Sequence, residues 1–148
     1  WNGEAKGVFF GLTQGDGLGV LARAVMEGVV YQNAQVLDKF EKAGQRLTDI
    51  RLTGGGARSP VWSQVQADIY GKTVNRLAED EAALLGAAIL AGVGAGLFPS
   101  IEVGVDSMVK IAESYFPNRA NEGVYRKGLS DFIKLYEVLA SGGLFQNA

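Results

Sequence analysis

The chain has no cysteine and no histidine among its 148 residues. Without cysteine there are no disulfides and no thiolate chemistry, a composition compatible with a reducing cytoplasm, the expected location. The missing histidine excludes more. Ser-His-Asp triads, histidine metal sites and the commonest general base all go with it. Chemistry is left to carboxylates, hydroxyls, backbone N–H groups and a soluble metal ion such as Mg²⁺. The longest apolar run, Leu84 to Phe98, is interrupted by Gly86, Gly92, Gly94 and Gly96. It falls short of the ~18 continuous apolar residues of a membrane span, so a buried helix is expected there. No signal peptide is visible. The 14 basic residues are scattered and the net charge is −2, which leaves no electrostatic footprint for nucleic acid or an acidic membrane.

Glycine is abundant instead, with 21 copies, and its placement is informative. In Ile50-Arg51-Leu52-Thr53-Gly54-Gly55-Gly56-Ala57-Arg58-Ser59-Pro60-Val61-Trp62 a short strand-like run empties into three consecutive glycines. A helix is expected next, with Ser59 as N-cap and Pro60 as first helical residue, where a missing N–H costs nothing. Lacking Cβ, such a turn permits positive φ and lets a ligand lie directly on the backbone. The helix N-terminus beyond it offers free N–H groups and a partial positive charge, which suits a phosphate. An ordinary tight strand-to-helix turn carries the same signature, so both readings stand at this point. The commoner phosphate loops do not. No Gly-Lys-Ser/Thr follows the glycines, and Gly15-Asp16-Gly17-Leu18-Gly19 departs from G-x-G-x-x-G at Val20.

Apolar residues make up 47% and charged residues 20%, ordinary for one folded domain. Strand and helix patterns alternate. Leu18, Leu21, Val25, Val29, Val36, Leu37 and Phe40 follow a helical period, closed by Gly44. Asp49 to Thr53 predicts a buried strand, Ser59 to about Tyr70 a helix ended by Gly71, and Thr73 to Leu77 a second strand. Glu79-Asp80-Glu81 puts negative charge at the start of the next helix, Ala82 to about Ala91. Its small residues Ala82, Ala83, Gly86, Ala87 and Ala88 offer a surface for close backbone packing. Tyr125, Leu129, Phe132, Tyr136 and Leu139 form a core stripe on a last helix, about Glu122 to Ala140. A third strand is expected around Lys6 to Leu12. Two or three strands are few against the usual four to six or so. Both ends read as cut, and further strands are expected upstream of Trp1, in a larger protein of which this is the C-terminal portion.

Three segments together resemble the C-terminal domain of the FGGY carbohydrate kinases, most like the xylulokinase branch. Gly7-Val8-Phe9-Phe10-Gly11-Leu12 with Leu21-Ala22-Arg23-Ala24-Val25-Met26-Glu27-Gly28 resembles the family's second signature. Leu52 to Trp62, with Ala67-Asp68-Ile69-Tyr70-Gly71, resembles its adenosine-side motif. Glu81-Ala82-Ala83-Leu84-Leu85-Gly86-Ala87-Ala88 resembles the helix that follows, and Trp1-Asn2 the tail of a preceding motif. The resemblance covers nearly the whole chain. One position departs: Val20 stands where the family has a polar residue, often histidine, with Gln14 and Asp16 nearby. A valine makes no side-chain hydrogen bond, so sugar specificity and helix entry at that turn do not follow from the resemblance.

The resemblance implies an α/β, ribonuclease-H-like (actin-like ATPase) fold, with residues 1–148 an incomplete C-terminal domain. ATP would lie between this domain and an absent N-terminal one. Gly54, Gly55 and Gly56 would carry the nucleotide by backbone contact, while Ala57 and Ser59 would border the adenine. The helix near Glu81 would pack beneath the base through Ala82 and Gly86, or serve helix packing alone. The implied reaction is phosphoryl transfer from ATP·Mg²⁺ to a sugar hydroxyl, of a ketopentose such as xylulose. The implied catalytic base is an aspartate upstream, as are the sugar-binding residues. No catalytic or metal-ligating residue is therefore assigned here, since solvation or capping accounts for Asp16, Asp68, Glu79 and Glu81. Two alternatives stay open. One is an actin-like ATPase or nucleotide-binding module without kinase activity. The other is an interaction domain, a homodimer formed through Leu84 to Phe98 and the last helix.

Overall fold

The computed structural model describes residues 2–145, so Trp1 of the opening resemblance and residues 146–148 lie outside the described residues. The elements run α1 (Leu18–Lys42), β1 (Ile50–Leu52), α2 (Pro60–Tyr70), β2 (Val74–Leu77), α3 (Ala82–Gly94), α4 (Ile101–Met108), β3 (Ile111–Tyr115) and α5 (Glu122–Ser141). Local signals explain most boundaries. Ser59 caps α2 by accepting from the Trp62 N–H at 3.3 Å, with Pro60 in the first helical position. Gly71 ends the same helix at φ +62, a left-handed conformation that suits glycine. Ser100 caps α4 through the Val103 N–H. The helix α1 starts on Gly17, which has no side chain to cap it, and the neighbouring Asp16 accepts from the Thr13 N–H at 2.6 Å.

The sheet is ordered β1-β2-β3 among the described residues. β1 and β2 are parallel, with Ile50 opposite Val74, and α2 makes the crossover between them. β3 is antiparallel to β2, with Tyr115 opposite Val74. Ile50, Val74 and Tyr115 thus share one face, which packs with Leu52 against Ala67 and Tyr70 of α2. Val74 and Ala67 are fully buried. Burying a valine is worth about 1.5–3 kcal/mol, so this contact is what seats α2 on the sheet. The opposite face is polar: Ser114 donates to Asn75 at 2.7 Å, Asn75 to Asp49 at 2.7 Å, and Arg51 to Asp49 at 2.6 Å. The Asn75 bond, and then that of Arg51, hold the Asp49 carboxyl below its ordinary range.

Two expectations are corrected. Lys6 to Leu12 forms no strand: Val8, Phe9, Phe10 and Leu12 are about half exposed or more, and no partner strand stands beside them. The third strand is Ile111–Tyr115 instead. The apolar run on α3 is not a buried helix within these residues either. Ile89 is buried at 4% exposure, but Leu84 is 68% and Leu90 60% exposed. An apolar run reports the sum of all faces, while only the face toward α4 finds cover. The stripe on α5 is core at its start, where Tyr125 is 7% exposed, and opens toward Tyr136 at 42%. Among the described residues no helix is long and apolar enough to cross a membrane.

Helix contacts here depend on close approach. A Cβ at Gly104 of α4 would stand 2.7 Å from Ile89 Cγ2 and 3.2 Å from Phe98 Cδ2. Gly104→Ala is therefore expected to destabilise by about 1–3 kcal/mol through overpacking, read as a lowered urea midpoint at unchanged slope. On the other side, Tyr31 of α1 and Phe132 of α5 have ring centroids 5.7 Å apart, and Arg23 donates to the Tyr125 hydroxyl while pairing with Glu27 at 2.7 Å. Burial, and then the Glu27 carboxylate, push the Tyr31 hydroxyl well above its ordinary range, so it stays a neutral donor.

Candidate functional site

The strand β1 ends at Leu52, and the chain turns sharply at Gly54, whose φ of +81 is strained for any residue with a side chain. Gly55–Arg58 then form a short 3-10 helix, and Ser59 opens α2. The expected residues Gly54, Gly55, Gly56, Ala57 and Ser59 therefore lie on one continuous turn above the C-terminal end of a parallel strand. That is where ligands bind in open α/β sheets.

Hydrogen bonding decides which backbone groups face outward. The Gly54 N–H donates to the Asp80 carbonyl at 3.0 Å, the Ala57 N–H to Gly54 at 3.0 Å, and the Ser59 N–H to Gly56 at 3.2 Å. Among the described residues the N–H groups of Gly55 and Gly56 have no acceptor. They are the unpaired first-turn donors of a short helix. Around Gly55 no atom lies within 4 Å of where a Cβ would be, so the space beside it is open. Gly56 is backed by the Trp62 indole, 3.7 Å from its Cβ position.

The start of α2 offers less than its sequence suggests. Pro60 has no N–H, the Trp62 N–H goes to Ser59 Oγ, and the Ser63 N–H to the Ser59 carbonyl at 3.0 Å. The cap takes up the Trp62 and Ser63 donors of this helix end, and the donors left without an acceptor among the described residues here are those of Gly55, Gly56 and Val61. Ser59 accepts through Oγ as a cap, so toward a ligand its hydroxyl can donate. Ala57 is 3% exposed and its N–H is bonded to the Gly54 carbonyl, so it packs beneath the turn.

A contact missed at the sequence level closes the site from behind. The Asp80 carbonyl accepts from Thr53 Oγ1 at 2.8 Å as well as from Gly54, and the Asp80 carboxylate accepts from Arg58 Nε at 2.7 Å. In the sequence, Glu79-Asp80-Glu81 reads only as charge at a helix start. The start of α3 is thereby held against the turn, while its Gly86 face stays open, with nothing within 4 Å of a Cβ there.

The carboxylates are otherwise engaged. Asp68 is 7% exposed rather than on the surface. Its Oδ1 accepts from Gln64 at 2.7 Å and the Asn118 N–H at 2.8 Å, and its Oδ2 from Asn121 at 3.0 Å. Glu79 accepts from the Glu81 N–H at 3.1 Å. Among the described residues no three acidic groups stand close enough to hold a metal ion. A shallow cavity of about 240 Å³ lies beside Asp68, lined by Asn118, Arg119 and Arg126. Both arginines pair with Glu122, so its polar groups serve the loop before α5.

Comparison with known proteins places the fold. The xylulose kinase of Staphylococcus epidermidis is 35% identical over 134 residues, 90% of this chain and 27% of that protein. The glycerol kinase of Clostridium beijerinckii is 38% identical over 123 residues, 82% of this chain and 24% of that protein. The crystal structure of xylulose kinase from Rhodospirillum rubrum superposes with a TM-score of 0.84 at 29% identity, covering 97% of this chain and 29% of that one. The chain thus spans about a quarter of the length of the curated relatives it matches. With residues 1–95 matching the C-terminal domain of the FGGY family of carbohydrate kinases, a mixed α/β fold of the actin-like ATPase type, the chain belongs to that family.

Proposed function

We propose that the chain is the nucleotide-side portion of an ATP-dependent carbohydrate kinase that transfers the γ-phosphate to a sugar hydroxyl. The carrying observation is the open face of the glycine turn, where two backbone donors lack acceptors among the described residues and the space beside Gly55 is free of side chains. Gly54 sets the bend, and Gly55 and Gly56 meet the nucleotide by backbone contact. Ser59 donates toward the adenine side, with Ala57 supporting the turn from within. Such a reaction depends on positioning and on charge stabilisation rather than on covalent chemistry by the protein. Mg²⁺ supplies charge neutralisation on the phosphates when bound. Asp16, Asp68 and Glu79 each accept hydrogen bonds within the fold, and the catalytic base of this reading is an aspartate outside this chain.

The sugar we infer is a ketopentose such as xylulose. The xylulose kinase from S. epidermidis matches along 90% of the chain, against 82% for the C. beijerinckii glycerol kinase. The test is ADP release by the protein encoded by the complete gene, supplied with ATP·Mg²⁺ and D-xylulose, L-ribulose, glycerol, gluconate or no sugar. Release with D-xylulose above the others is expected. A preference for glycerol or gluconate would overturn the sugar, and release independent of any sugar would overturn the kinase.

A further inference from the structure

The glycine turn is held at both ends by one residue outside it. The main-chain carbonyl of Asp80 receives Thr53 Oγ1 and the Gly54 N–H, which fixes the entry to the turn. Its carboxylate Oδ2 receives Arg58 Nε at 2.7 Å, which fixes the exit. Between those anchors, Gly55 and Gly56 donate to nothing among the described residues, so the direction of their N–H groups follows from where the ends are held. The second carboxylate oxygen, Oδ1, is buried without a hydrogen-bond donor and stands 3.9 Å from Arg76 Nη1 on β2. Arg76 therefore neutralises the carboxylate from the sheet side and leaves Oδ2 to Arg58.

The Arg58 side chain is 68% exposed and that of Asp80 20%. An ion pair with one partner this exposed adds little to folding stability, because water screens it and ordering a long side chain costs entropy. Its geometric effect is larger, since it joins the last residue of a short, glycine-rich helix to the start of α3. We propose that Asp80 is a positioning residue for nucleotide binding, which aims the Gly55 and Gly56 donors by clamping Thr53–Gly54 through its carbonyl and Arg58 through its carboxylate; this rests on the turn being the ATP site. Groups that hold a binding constellation from behind set its affinity by limiting how far it strays from productive geometry.

The test is equilibrium dialysis with radiolabelled ATP and Mg²⁺ on the protein encoded by the complete gene, with thermal unfolding measured alongside. Asp80→Asn keeps the carbonyl anchor and side-chain shape and removes the charge that faces both Arg58 and Arg76, while Arg58→Gln weakens the Arg58 link alone, from the other end. Each is expected to weaken ATP binding about fivefold at an unchanged unfolding temperature. The double variant is expected to bind no more weakly than the weaker single one, as for two residues acting through one contact. Unchanged ATP affinity in both single variants, additive losses in the double variant, or losses that track a fall in unfolding temperature would each overturn the inference. Gly55→Val separates it from the functional reading. Weak ATP binding by Gly55→Val with normal binding by Asp80→Asn and Arg58→Gln removes the clamp alone. A parent protein that binds no ATP removes both.

Discussion

Gly55→Val is expected to weaken ATP binding by the complete protein roughly a hundredfold, about two steps of 1.4 kcal/mol, while leaving the fold in place. The separation of the two effects comes from the local geometry. Gly55 has no positive φ and nothing within 4 Å of its Cβ position, so a side chain there meets no protein atom. The same empty space is where the nucleotide lies under the proposed function, and an isopropyl group would hold it off the Gly55 and Gly56 N–H groups. Gly54→Val would be a poorer test, because φ +81 makes any side chain there strained and confuses folding with binding. Gly56→Val is compromised in another way, by the Trp62 indole behind it. Isothermal titration with ATP·Mg²⁺, with the unfolding midpoint as control, measures the effect. Unaltered ATP affinity in a folded Gly55→Val protein would refute the site.

Asp68→Ala is expected to cost about 3 kcal/mol of stability. Three donors converge on this carboxylate: the Gln64 amide, the Asn118 N–H and the Asn121 amide. Hydrogen bonds to a charged group contribute about 1.5–3 kcal/mol each, and removing the acceptor also leaves partly buried donors unsatisfied. The two asparagines lie in the connection from β3 to α5, so the carboxylate pins that connection to α2. The expected reading is a lowered denaturant midpoint together with faster hydrogen exchange in the segment 116–121. Asp68→Asn, which keeps the Oδ1 acceptor, is expected to lose less. Equal losses in the two variants would mean that the bonds counted here are not what holds this connection.

Elements with strong end signals were legible before any coordinates. Ser59-Pro60 and Gly71 bracket α2, Gly44 follows α1, and a β-branched residue in each of the short runs beside the glycines marks β1 and β2. Ile111–Tyr115 was not legible, because only Tyr115 is buried and Ala112, Glu113 and Ser114 give no apolar alternation. A strand buried at one end is specified by its partner, and the partner is β2, across α3 and α4. The residues Gly7 to Leu12 misled in the opposite way: they are apolar, yet nothing among the described residues covers them. At the site, the bend at Gly54 and the cap at Ser59 could be read from residue type alone. The availability of Gly55 and Gly56 over the start of α2 could not, since it depends on which donors the cap consumes. Asp80 was hidden because its bond to Arg58 joins residues on either side of α2, whereas a run of three acidic residues before a helix has a sufficient local explanation.

The hydrogen bonds made directly to the glycine turn join residues between Thr53 and Asp80, one strand–helix–strand crossover and the three residues after it. The contact order of the site is therefore low, and the entropy of closing that single loop grows only with the logarithm of its length. The segment that carries Asp80 is itself tied to the start of β3, through the Ala78 N–H and the Lys110 carbonyl at 2.8 Å, so β3 supports the turn at one remove. Substitutions in the last third of the chain thus reach the turn only through β2 and the residues between Leu77 and Asp80, and not by direct contact with it.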